Sequence, residues 1–141
     1  MRLSDIGRWF GTALLALTLL SATPARAEWL KAESERFIVY GDGNARELIA
    51  FTRKLETFDR VLRTLMGLDA TVAPPRKLPI YLVDPRGLRR VNPNVGETVA
   101  GFYAARDEDI FAVALRGGMG DDVLLHEYAH HFMMQNFAST Y

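Results

Sequence analysis

Cysteine is absent from the 141 residues. That excludes a disulfide framework, a closed structural zinc site built on thiolates, and a lipid-modified N-terminal cysteine. Charge of one sign is not in surplus either, since 17 Lys and Arg face 17 Asp and Glu. Neither a nucleic-acid footprint nor a polybasic membrane surface follows from that balance. The leading apolar run, Trp9 to Ala22, is shorter than the roughly 18 residues a spanning helix needs. No internal repeat or low-complexity segment is visible. Histidine is scarce, and all three copies, His126, His130 and His131, fall within six residues.

The chain opens with the pattern of an export leader. Arg2 and Arg8 form a positive n-region, Trp9 to Ala22 an apolar h-region, and Ala25-Arg26-Ala27 an A-x-A cleavage signal. The expectation is a signal peptide over residues 1–27, cut after Ala27, with delivery to the periplasm or the extracellular space. No stable membrane insertion is expected after cleavage; an uncleaved anchor is the alternative. Removing 27 residues from 141 leaves 114, and removing Arg2, Arg8, Arg26 and Asp5 leaves 14 basic and 16 acidic side chains, a net charge of −2. A chain of that size forms one domain with one modest core.

Element signals alternate along residues 28–141. Glu35 to Tyr40, ended by Gly41-Asp42-Gly43, reads as a strand. Leu48, Phe51, Leu55, Phe58, Leu62 and Leu65 recur at helical spacing, with Gly67 placed as a C-terminal cap. Glu56 with Arg60 and Asp59 with Arg63 have the i,i+4 spacing of solvent-side ion pairs. Ala70 to Arg76 is a linker. Leu78 to Val83 is a second strand, whose Pro79 implies an edge or a strand start. Asp84 to Val99 reads as a long loop in which Arg86, Arg89 and Arg90 are solvated. Ala100–Ala105 and Ile110–Leu115 form a hairpin about the turn Arg106 to Asp109. After Gly117-Gly118-Met119-Gly120, a helix capped by Asp121 or Asp122 runs from about Asp122 to Phe137 and is apolar nearly all round, which predicts burial. The class is α+β.

That last helix carries His126-Glu127-Tyr128-Ala129-His130, an HExxH sequence. Residues i and i+4 share a helix face, so two imidazoles can reach one metal ion while the adjacent carboxylate addresses a water on it. Zn²⁺ held by His126 and His130 lowers the pKa of such a water toward neutrality, and Glu127 is the candidate general base for attack on a peptide carbonyl. His131 points about 100° away from His130 and is read as a supporting or surface residue. Met133 and Met134 are packing residues. A catalytic zinc takes three protein ligands, and only two are evident. The metzincin pattern HExxHxxGxxH is excluded, because Met133 stands at its glycine and Asn136 at its last histidine.

Phe37-Ile38-Val39-Tyr40 followed by an amphipathic helix, Leu78-Pro79-Ile80-Tyr81-Leu82-Val83, Gly101-Phe102-Tyr103 and Leu124 to Phe132 together resemble the gluzincin branch of zinc metallopeptidases. More narrowly, they resemble the peptidase-MA-like domain of exported bacterial proteins. The likeness covers nearly all of residues 28–141, and HExxH is its one specific motif. It implies a zincin-like N-terminal subdomain, with a small mixed sheet packed against an amphipathic helix and a buried HExxH helix. It also implies a peptide or protein substrate paired along Ile110 to Leu115, and a third ligand contributed by a Glu on a following helix. The chain is accordingly expected to be the N-terminal part of a zinc metallopeptidase, inactive by itself. The alternative is a non-catalytic binding or scaffold module on the same fold.

Overall fold

The computed structural model describes residues 28–105 and 109–137. The leader and its cleavage site, and most of the predicted turn between the hairpin strands, lie outside the described residues. The fold is α+β, with five strands and three helices among those residues: β1 (Leu30–Glu33), β2 (Phe37–Gly41), α1 (Ala45–Leu65), β3 (Leu78–Val83), α2 (Pro85–Val91), β4 (Gly101–Ala105), β5 (Ile110–Leu115) and α3 (Met119–Asn136). No described helix is long and apolar enough to cross a membrane.

The strands form one mixed sheet in the order β1-β2-β3-β5-β4. β2, β3 and β5 run parallel at its centre, and β1 and β4 close the two sides antiparallel. Alternate residues of the central strands, Phe37, Val39, Leu78, Ile80, Leu82, Ala112 and Ala114, face a core completed by Leu48, Phe51 and Leu55 of α1 and by Leu124, Tyr128 and Phe132 of α3. The opposite face is covered at one end, where Leu88 of α2 packs on Val83 and Val113. The rest of that face carries a row of rings: Trp29 stands edge-on to Tyr81 at 6.4 Å, Tyr40 stacks on it at 5.2 Å, and Phe111 meets it edge-on at 6.1 Å.

Helix α1 forms where the apolar spacing predicts it. Asn44 caps its start by accepting the Arg46 N–H, and Gly67, at φ 68°, lets the chain turn so that Leu68 N–H reaches Arg63 O at 2.8 Å. Several expectations fail. The Asp59–Arg63 pair is not on the solvent side but in the core, with Asp59 1 % exposed. Glu56 turns to the Arg36 backbone N–H at 2.8 Å. β3 is not an edge strand but lies between β2 and β5. Pro79 is tolerated because it sits one residue before the pairing with β5 begins, at Ile80.

The long loop contains α2, started by Asp84, whose Oδ1 accepts the Gly87 N–H at 2.6 Å, with Pro85 in the first turn. Arg86, Arg89 and Arg90 are exposed, as expected, but on that helix. β1 had no counterpart in the sequence reading.

Candidate metal centre

α3 leaves β5 through Gly117 and Gly118, both at positive φ (72° and 55°). Gly118 occupies the cap position, so the helix starts at Met119 and Asp121 and Asp122 fall inside its first turn, not at its cap. There their carboxylates complement the helix dipole. Gly120 brings the helix hard against the end of β5: a Cβ on it would run into the Leu115 carbonyl oxygen.

The helix is not buried all round. Leu124, Tyr128, His131 and Phe132 face the sheet, whereas His126, His130, Met133 and Met134 are exposed on the other side. The reason is that the described partners of α3, namely β4, β5 and α1, all lie on one side of it. On the open side the two imidazoles converge, with His126 Nε2 and His130 Nε2 3.0 Å apart. Two nitrogens bound to one zinc at about 2.0–2.1 Å in tetrahedral geometry stand ~3.3 Å apart, so the pair fits two corners of such a site with little adjustment. The side chain of Glu127, part-exposed and next in sequence to His126, makes no hydrogen bond or ion pair with another described residue. Among the described residues no third His, Asp or Glu joins the pair to form a metal-holding group.

No family model, curated protein or solved structure matches this chain. The chemistry therefore has to be read from the side chains themselves.

His131 is buried, not at the surface. Its Nδ1 lies 2.5 Å from the Tyr103 hydroxyl of β4. Burial pulls its pKa down to about 4 and pushes that of Tyr103 up, so a neutral imidazole and a protonated phenol share the hydrogen bond. The ring points into the core, on the side away from the converging pair, which leaves it no ligand role.

Tyr128, inside the motif, donates its hydroxyl to Asp59 Oδ1 at 2.6 Å. Asp59 Oδ2 accepts from Arg36 Nε at 2.5 Å and from Arg63 Nε at 2.9 Å. Arg36 also donates to Ala70 O and Val72 O, so the predicted linker is tied to the network. The phenol's pKa is raised by burial and then by the carboxylate it serves. The sequence reading missed this network. The i,i+4 spacing of Asp59 and Arg63 was visible, but whether that pair faces water or the core is not encoded in spacing.

β5, to which the family likeness assigned substrate pairing, has a strand on each side and no free backbone edge. Among the described residues the free edge beside α3 is that of β4, and this corrects the assignment.

Proposed function

We propose that His126 and His130 are zinc ligands and that Glu127 is the general base of a zinc metallopeptidase of the gluzincin type. The observation that supports this most is the convergence of the two Nε2 atoms at 3.0 Å on an exposed helix face with the carboxylate of Glu127 next in sequence. Zinc bound there would supply Lewis acidity, making a water acidic near neutral pH and polarising a carbonyl. Neutral His126 and His130 offer the lone pairs. Glu127 takes a proton from the attacking water and returns it to the leaving amine. The backbone groups on the free side of β4 are available to pair with an extended peptide next to the helix. Gluzincin identity and the exported location expected from residues 1–27 belong to the same proposal.

Titration with zinc tests the ligands. His126→Ala and His130→Ala should each abolish or greatly weaken binding, His131→Ala should have the smallest effect, and unchanged affinity in both of the first two would refute the assignment. Glu127→Gln tests the base. In the complete protein it should keep zinc while peptidase activity falls by roughly 10²- to 10⁴-fold, because an amide cannot accept the proton. Equal hydrolysis of a peptide library with Gln at 127 would rule out this mechanism.

A second reading, a non-catalytic binding or scaffold module, is favoured by the ligand count: the described residues supply two donors, and a catalytic zinc takes three. Absence of cleavage by the complete protein, zinc-loaded and with either residue at 127, would select it.

A further inference from the structure

Viewed down α3, with each residue turning the helix by about 100°, His126 and His130 lie at roughly 160° and 200° from Tyr128. The motif's tyrosine is thus opposite the direction in which the two imidazoles point. Its ring is wedged between Phe37 of β2, edge-on at 5.0 Å, and Phe58 of α1, at 6.3 Å. Its hydroxyl ends on Asp59, which is itself held by two guanidinium groups. Arg63 further lies 5.5 Å above the Phe132 ring, one turn along the same side of α3.

A buried carboxylate with two arginines is a poor device for stability alone, since apolar side chains of the same volume serve as well or better. What it adds is direction. A packed ring tolerates small rotations and slides, whereas a hydrogen bond to a carboxylate clamped from the other side does so only at the loss of the bond.

We infer that Asp59 is a positioning residue for the metal pair: through the Tyr128 hydroxyl it fixes the rotation of α3 about its axis, and so the direction in which His126 and His130 present their nitrogens. The inference rests on the reading of those two residues as zinc ligands. It couples α1, some 70 residues earlier in the chain, to a site it does not touch.

The test compares the unaltered chain, Tyr128→Phe and Leu88→Ala in zinc titrations against a chromophoric chelator, and in the visible spectra of their cobalt complexes. Tyr128→Phe keeps the ring and removes the bond. Zinc affinity should fall about 10-fold, the lower end of what loss of an outer partner costs a metal site, and the cobalt bands should shift or broaden. Leu88→Ala trims the smaller cluster on the other face of the sheet and should leave both unchanged, which separates orientation from general destabilisation.

A measurement without a variant completes the test: by reciprocity of coupling, zinc added to the unaltered chain should slow hydrogen exchange at Arg63 Nε–H, the group that clamps Asp59. Zinc bound equally tightly by Tyr128→Phe, with an unchanged cobalt spectrum, overturns the inference and leaves the ligand assignment standing. Unchanged Arg63 exchange on zinc binding also overturns it. Failure of the unaltered chain to bind zinc overturns both readings.

Discussion

The burial of His131 beside Tyr103 makes the metal-free protein sensitive to acid. His131 has its pKa lowered from 6.5 to about 4 by burial. The unfolded chain therefore takes up a proton before the folded one as pH falls. The contribution of the neutral imidazole is complete above pH 6.5 and is lost progressively between pH 6.5 and pH 4. A shift of that size corresponds to roughly 3 kcal/mol. Chemical denaturation in the presence of a chelator should show stability falling over that window. His131→Gln, which can still hydrogen-bond Tyr103 but does not titrate, should flatten the fall; an identical pH profile would show that another group controls it. At this scale the sequence was informative about chemistry and poor about surroundings. HExxH singled out His126, Glu127 and His130, but the same letters gave no sign that His131 would be inward and its neighbour His130 outward.

Among the elements, the entry to α3 is the most constrained. A Cβ at position 120 would run into Leu115 O, which leaves no room for any side chain, and the obstacle is backbone. Gly120→Ala should destabilise the fold by about 3 kcal/mol or more, beyond ordinary overpacking of a core, read as a drop in thermal midpoint. A midpoint within a degree of the original would mean that the helix does not sit so close to β5. Helix α2 shows what pattern reading overlooks. Seven residues give too short a window for periodicity, yet Asp84 followed by Pro85 is a start signal in itself. β1 escaped for a different reason. Leu-Lys-Ala-Glu does alternate, with Ala32 buried and Lys31 and Glu33 paired outside, but it is made of weak strand formers.

For the molecule as a whole, the class and four of the five strands were legible because alternation and helical spacing are local properties. Strand order was not. Nothing in Leu78 to Val83 says that it lies between β2 and β5 instead of at an edge, because its neighbours come from distant parts of the chain. The same limit hid the Asp59 network, whose members Arg36, Asp59, Arg63 and Tyr128 are joined only by the packing of α1 and α3 on one face.

That packing leaves the opposite face of the sheet with its row of rings, and Trp29 at its end is 54 % exposed. Trp29 is the single tryptophan among the described residues. Its fluorescence will be fed by energy transfer from Tyr81, 6.4 Å away, and will be red-shifted by its contact with water. It will therefore report the docking of the first strand on the far side of the sheet and be nearly blind to what happens at α3. In protein from which residues 1–27, and with them Trp9, have been removed, a zinc titration or an unfolding curve followed by tryptophan emission would look silent or premature, even while the site itself was filling or intact.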